Sequence, residues 1–236
     1  MNKYIVKTVK AIGAIPGVKD ALESLFPKIF QRYKEKERRD AYQAYGLEAL
    51  QRFDQCMREN NFFYTLAFGS MLGGIREHGF IKHDCDIDTY MWIEDFTPSL
   101  ITALQNAGFT WLYSYHVDDG RLGREDTFEF NGVHIDIFFL YPAIDTLPYC
   151  CDFVEQKHHK WMPRRIQIPI TKERKEIDFE TLRLFVPERA EEICAYRYGP
   201  NYLTPDPSWN WVRAKDSVVE WNEQFNATKH FVKPRL

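Results

Sequence analysis

The most informative segment of this chain, residues 68–88, reads FGSMLGGIREHGFIKHDCDID. It joins a turn of small residues to three acids within five positions, Asp84, Asp86 and Asp88. Asp86 and Asp88 open an apolar run, and residues two apart on a strand point to the same side. Two carboxylates on one face of a buried strand repel each other unless a cation lies between them. The segment therefore predicts a metal site.

The small-residue turn, Gly69-Ser70, is predicted to close one strand and to open a helix. Such a junction directs free backbone N–H groups, the serine hydroxyl and the helix dipole at an anion. Most Gly-Ser pairs are ordinary turns, so this pair alone indicates little. Oxygen-only ligands in an Asp-x-Asp spacing suit Mg²⁺ or Mn²⁺, which prefer carboxylates together with substrate phosphates.

A further acid, Asp136, lies in the middle of the apolar run Val133–Leu140. Counting in twos places Ile135 and Ile137 on the opposite face of this predicted strand. An unpaired carboxylate there would be costly, so it needs either a metal ion or a partner such as an arginine or a buried tyrosine. Three carboxylates can hold one or two divalent ions on a diphosphate or triphosphate, while the Gly-Ser turn holds its outer oxygens. We therefore predict that Asp86, Asp88 and Asp136 bind the metal and form the catalytic set.

The order of these features, strand, Gly-Ser, helix, Asp-x-Asp and a later single acid, is that of nucleotidyltransferase-fold enzymes. The motif GSxLGxxRxxGFIxxDxDID, followed by HIDIF at residues 134–138, resembles the LicD/fukutin-related family over about residues 60–140. A looser similarity extends to residues 196–202, YRYGPNY. The family motif usually carries an acidic residue where this chain has Cys85, and the flanking aspartates are kept.

The resemblance implies an enzyme that moves an alcohol phosphate from a CDP-linked alcohol to a sugar hydroxyl and releases CMP. Phosphocholine, from CDP-choline, is the favoured group, and a cell-surface glycan or a lipid-linked oligosaccharide is the implied acceptor. By position, Asp86 and Asp88 would bind Mg²⁺ on the diphosphate. Asp136 would complete the site and accept the proton of the attacking hydroxyl. Gly69 and Ser70 would hold phosphate oxygens.

Four more residues are candidates for substrate contact. Arg76 can neutralise phosphate charge in a bidentate manner. Asp84 either orients the site or is a solvated loop acid, and His134 shares the predicted face of Asp136. Arg121 follows a predicted turn and is more simply a turn residue than a nucleotide contact. If the alcohol is choline, an aromatic cage is expected, and the candidates for it are Tyr196, Tyr198, Tyr202, Trp209 and Trp211.

Two other functions remain open at this point. The same fold can instead place a nucleoside monophosphate from a nucleoside triphosphate on a small molecule or a protein. The domain can also be an inactive scaffold or glycan-binding module that binds Mg²⁺ without turnover. The three acids argue against this last reading.

Composition restricts the class of protein. A net charge of −3 over 236 residues does not indicate a nucleic-acid binder, and 44% hydrophobic residues are ample for a core. Five cysteines without a CxxC pair suit a reducing compartment. No apolar run approaches the roughly 20 residues of a membrane span, and no secretory signal is evident. We therefore expect a cytoplasmic protein, either free or peripheral at the inner face of the membrane.

The fold class predicted is α/β (α+β): a short mixed sheet of nucleotidyltransferase type, flanked by helices and extended at both ends. Residues 1–40 are predicted to form an arm of short amphipathic helices, which either packs on the protein or contacts an anionic membrane surface. Residues 41–236 are predicted to form one catalytic domain with a C-terminal extension. Predicted helices are 41–60, 71–77, 98–108 and 188–198, and predicted strands are 62–68, 87–93, 110–117, 127–130 and 133–140.

Overall fold

The structure is a computed structural model, and it describes residues 27–143, 147–156, 160–206, 208–210, 218–220 and 227–231. Within them the helices are α1 (Pro27–Glu59), α2 (Phe68–Glu77), α3 (Ser99–Asn106) and α4 (Ala190–Tyr198). The strands are β1 (Thr65–Leu66), β2 (Asp86–Trp92), β3 (Thr110–Val117), β4 (Gly123–Phe130), β5 (Val133–Leu140), β6 (Tyr149–Glu155), β7 (Trp161–Gln167), β8 (Arg174–Phe179), β9 (Leu182–Pro187), β10 (Val218–Glu220) and β11 (Ala227–Phe231). None of the helices in these ranges combines the length and the apolar character needed to cross a bilayer.

Helix α1 is a continuous helix that passes through residue 40, where we predicted the arm to end. Its exposed side is charged and carries pairs one turn apart, such as Lys36–Asp40 and Arg52–Glu48. Its C-terminal half buries Leu50, Phe53 and Met57 completely. The first 26 residues, and with them most of the predicted amphipathic helices, lie outside the described residues.

Nine strands form one curled sheet, in the order β1, β2, β5, β4, β3, β11, β7 and β10, with β6 paired to β7. The neighbouring strands are antiparallel except β2 and β5, which are parallel. Strands β8 and β9 form a separate hairpin. This mixture of helices and a mostly antiparallel sheet confirms the predicted α+β class.

The hairpin between β4 and β5 shows how the local sequence sets the register. Phe130 pairs with Val133 across the two turn residues. Asn131 and Gly132 have φ of 50° and 82°, which suits the predicted Asn-Gly turn. Ile135 and Ile137 are fully buried on the face opposite Asp136, and this confirms the count in twos.

Several predicted bounds were wrong. The strand predicted at 62–68 is only two residues long, because α2 already begins at Phe68. Strand β4 begins at Gly123 rather than at 127, since its first residues are charged and hide the pattern. Beyond Tyr141 we predicted no strands, and the structure has six of them there among the described residues.

The His116 imidazole on β3 makes the fold sensitive to acid. Burial, followed by the nearby charges of Arg124 and His230, lowers its pKa to about 4. A histidine in an unfolded chain has a pKa of about 6.5. As the pH falls from this value to about 4, residue 116 therefore gains a proton in the unfolded chain but not in the folded protein, and the folded protein loses stability. Because the side chain is half-buried, we expect His116→Gln to remove about 1 kcal/mol of the stability lost between pH 7 and pH 4.5. Urea unfolding at both pH values measures this, and an equal loss in wild type and variant would contradict it.

Candidate functional site

A cavity of about 1010 Å³ opens on the face of the sheet that carries the aspartates. One wall is formed by Asp84, Asp86, Asp88 and Asp136. The end of α4 and the segment after it contribute Tyr198, Gly199, Pro200, Asn201 and Tyr202 to the same lining. The two stretches that the sequence singled out therefore border one cavity.

The parallel pairing of β2 with β5 brings the acids together. Asp88 lies opposite Asp136 in the register, and Asp86 lies opposite His134. Side chains paired in this way on adjacent strands share one face of the sheet. The predicted grouping of the three carboxylates therefore follows from a pairing between strands that are about 50 residues apart in sequence.

Asp88 is held at the start of α2. The backbone N–H of Gly69 donates to its carboxylate, and the Ser70 hydroxyl oxygen accepts the backbone N–H of Asp88 at 2.9 Å. Burial, and then the charges of Asp86, Asp136 and Asp84, raise the pKa of Asp88 well above its usual range. The helix N-terminus thus meets a carboxylate that its neighbours repel.

Asp136 is oriented by its neighbour on β4. The Thr127 hydroxyl donates to Asp136 Oδ1. Burial and the charge of Asp86 raise the pKa of Asp136 to about 6, although Thr127 and the cations of Arg38 and Lys229 oppose the shift. Burial is the larger cause of the raised pKa at both Asp88 and Asp136, and the repulsion between the carboxylates adds to it.

Gly69 is required by the close approach of Asp84. A Cβ at residue 69 would stand 2.7 Å from Asp84 Oδ2, so a larger residue would displace this carboxylate. Burial and the charge of Asp86 raise the pKa of Asp84 to about 7, while Arg76 lowers it. Asp84 is therefore part of the cluster and not a solvated loop acid.

The other predicted contacts have different positions. Arg76 lines the cavity, and its Nη1 donates to the Tyr202 carbonyl at 3.4 Å. Ser70 is buried beside Asp88 and is not part of the cavity lining. His134 lies under the cluster with its Nδ1 buried and without a hydrogen-bond partner among the described residues, and burial lowers its pKa to about 4. The structure does not bring Arg121 to the cavity, because its guanidinium pairs with Asp118 on an exposed turn.

Of the aromatic candidates, Tyr198, Tyr202 and Trp209 line the cavity, and the Tyr198 and Trp209 rings are 4.8 Å apart. Tyr196 is exposed and lies outside this lining. Trp211 lies outside the described residues.

Sequence reasoning missed Glu125, a buried acid of the same cavity. It stands on β4 opposite Phe138, one row beyond Asp136. Burial and then the charges of Asp136, Asp152 and Asp88 raise its pKa well above the usual range. The alternation within GREDTFEF was its only signal, and the charged residues concealed the strand.

Arg38 was also missed, because it lies in the charged run of residues 32–40 at the end of the predicted arm. Its Nη2 atom lies 2.9 Å from Asp86 Oδ2, across 48 positions of sequence. No local pattern announces a contact over this separation. The guanidinium is the cation paired directly with the acid cluster among the described residues.

The chemistry of the donor set fits a divalent cation. Carboxylates of β2 and β5 line one cavity, and their mutual repulsion would be relieved by Mg²⁺ or Mn²⁺, which these ligands suit. As the side chains stand, no three His, Cys, Asp or Glu residues in the described ranges are grouped closely enough to hold an ion together. One oxygen of Asp86 is engaged by Arg38 instead.

Comparison with known proteins gives a consistent result. A family model described as LicD/FKTN/FKRP, nucleotidyltransferase domain, matches residues 61–189. The chain is 25% identical over 190 residues to the Ribitol-5-phosphate transferase FKTN of Mus musculus, which covers 75% of this chain and 39% of the relative. It is 24% identical over 208 residues to the Homo sapiens protein of the same name. This match covers 82% of this chain and 43% of the relative. The chain thus spans less than half the length of these curated relatives.

Proposed function

We propose, from the premise that this chain belongs to the LicD/FKTN/FKRP nucleotidyltransferase family, that it transfers an alcohol phosphate from a CDP-linked alcohol to a glycan hydroxyl. The observation that carries the proposal is the convergence of Asp86, Asp88 and Asp136 on one wall of the cavity. The FKTN relatives, which carry ribitol-5-phosphate transferase in their names, support a reaction of this class. The acceptor we propose is a hydroxyl of a cell-surface glycan or of a lipid-linked oligosaccharide.

In this reaction the acceptor oxygen forms a bond to the phosphorus that carries the alcohol, and the bond from that phosphorus to CMP breaks. Asp136 takes the proton of the acceptor hydroxyl as the general base. Asp86, Asp88 and Asp136 would hold Mg²⁺, which neutralises the charge of the diphosphate when bound. Arg76, which lines the cavity, would hold phosphate oxygens, together with N–H groups of the first turn of α2 other than that of Gly69, which donates to Asp88.

For the alcohol we propose choline. The rings of Tyr198 and Trp209 border the cavity and can face a quaternary ammonium. The carboxyl groups of Glu125 and Asp84 also line this cavity, and a cationic alcohol beside them would favour their charged forms, which a neutral polyol cannot do. Ribitol remains the alternative that the names of the relatives suggest.

The test combines binding and turnover. We expect CDP-choline with Mg²⁺ to raise the unfolding temperature more than CDP-ethanolamine, CDP-glycerol or CDP-ribitol, because a ligand at 100 times its Kd adds about 2.7 kcal/mol of stability. CMP release in the presence of a glycan acceptor is the second measurement. A stronger response to CDP-ribitol would correct the alcohol alone. No response to any CDP-alcohol, with pyrophosphate released from a nucleoside triphosphate, would replace the proposal with nucleotidyl transfer.

A further inference from the structure

The contact between α1 and the acid cluster is a single ion pair at the edge of the cavity. Arg38 Nη2 and Asp86 Oδ2 are 2.9 Å apart, and each side chain keeps about a third of its surface exposed, 34% and 33%. Both residues line the cavity. The pair is therefore accessible from the space in which a substrate would bind.

Arg38 contacts the acid cluster through one hydrogen bond, from its Nη2 atom to Asp86 Oδ2. Its Nε is buried and has no hydrogen-bond partner within the described part of the chain. Cys85, Asp136 and Tyr113 are the other groups whose charge acts on the guanidinium. A guanidinium can make five N–H bonds in a rigid fork, so most of its capacity is not used on Asp86.

The Arg38 guanidinium lies against a carboxylate of the proposed metal site, and the described acids do not form a three-ligand group in this arrangement. A carboxylate oxygen can accept from a guanidinium and still bind a metal, but a guanidinium 2.9 Å from Asp86 Oδ2 repels an incoming divalent cation. A partly exposed ion pair is weak, so a divalent ion that gains several carboxylates can replace it.

We propose that Arg38 is an internal cation that holds Asp86 in the metal-free protein and gives up Asp86 Oδ2 when a divalent cation binds. The inference rests on the proposed function, because it assumes that Asp86, Asp88 and Asp136 are metal ligands. Arg38 is then a positioning residue: it keeps an acid of the site in place and competes with the ion. Helix α1, predicted from the sequence as part of an arm, reaches into the metal site.

The experiment measures Mn²⁺ binding directly, by the loss of the electron paramagnetic resonance signal of free Mn²⁺. We expect Arg38→Gln to bind Mn²⁺ about fivefold more tightly than the wild type, because a competing ion pair of ordinary strength is lost. Gln is a good helix former, so α1 is kept. Arg39→Gln is the matched control. Arg39 is the exposed neighbour of Arg38 on the same helix, and its substitution removes the same charge from the protein.

The outcomes separate the two claims. Tighter binding by Arg38→Gln, with Arg39→Gln equal to the wild type, supports the exchange. Equal or weaker binding by Arg38→Gln, or the same gain in both variants, overturns the exchange while leaving the metal site in place. Absence of Mn²⁺ binding in all three proteins overturns both the exchange and the proposed metal site. CMP release by the wild type then reports separately on the proposed reaction.

Discussion

Asp88→Asn is expected to lower CMP release by about 10³-fold or more, while the metal-free protein becomes more stable. Loss of a metal ligand removes several kcal/mol of transition-state stabilisation, and about 4 kcal/mol corresponds to a factor of about 10³. In the metal-free protein the Asp88 carboxylate lies beside Asp86, Asp136 and Asp84, and desolvation, followed by these charges, raises its pKa. A neutral amide of the same shape ends this repulsion.

The gain in stability should be about 1–2 kcal/mol in urea unfolding with EDTA at pH 7, the range typical of relieved strain at a functional site. The Asn side-chain oxygen can still accept the Gly69 N–H, so the start of α2 is kept. Asp178→Asn is the control, because this carboxylate on β8 is 81% exposed and is not part of the cavity lining. Full CMP release by Asp88→Asn would refute the assigned role, and a loss of stability would refute the repulsion.

Gly73→Ala is expected to destabilise the protein by about 3 kcal/mol, the upper part of the range for overpacking. A Cβ at residue 73 would lie 2.5 Å from the Gly79 carbonyl oxygen and 3.2 Å from Ile81 Cγ1. The chain returns over Gly73 because the N–H groups of His78 and Gly79 both donate to its carbonyl. This return leads the chain from α2 to the aspartates of the cluster.

The matched control is Gly46→Ala in the interior of α1. There a Cβ would meet the Phe80 ring at 3.4 Å, an ordinary contact, so alanine should stabilise the helix by about 0.5–1 kcal/mol. Urea unfolding compares the free energies of unfolding of the two variants, each of which replaces one glycine with alanine. If Gly73→Ala were as stable as wild type, the close approach of the two segments would be refuted.

The sequence was sufficient to predict on which face of its strand each of Asp86, Asp88 and Asp136 lies. Alternation within β5 places Asp136 opposite the buried Ile135 and Ile137, and the two-residue spacing within β2 does the same for Asp86 and Asp88. These patterns repeat every two residues, so they are readable within one strand. The Asn-Gly turn likewise set the register of β4 against β5 through local backbone preference.

The strands beyond Tyr141 were not predicted for a different reason. Strand β7 contains Pro163 and two arginines, and Arg164 is buried only because its guanidinium pairs with Asp152 on β6. Such a strand has no apolar alternation of its own. Its partner across the sheet, rather than its own sequence, makes its burial possible.

The contacts between side chains of different elements could be read only from the tertiary structure. The parallel pairing of β2 with β5 sets Asp88 beside Asp136, and α1 brings Arg38 to Asp86 from 48 positions away. A local pattern fixes the direction of a side chain but not the identity of its neighbour, because the neighbour depends on long-range pairing. The sequence alone therefore identified Asp86, Asp88 and Asp136, whereas only the fold revealed Glu125 beside them and the Arg38 cation at Asp86.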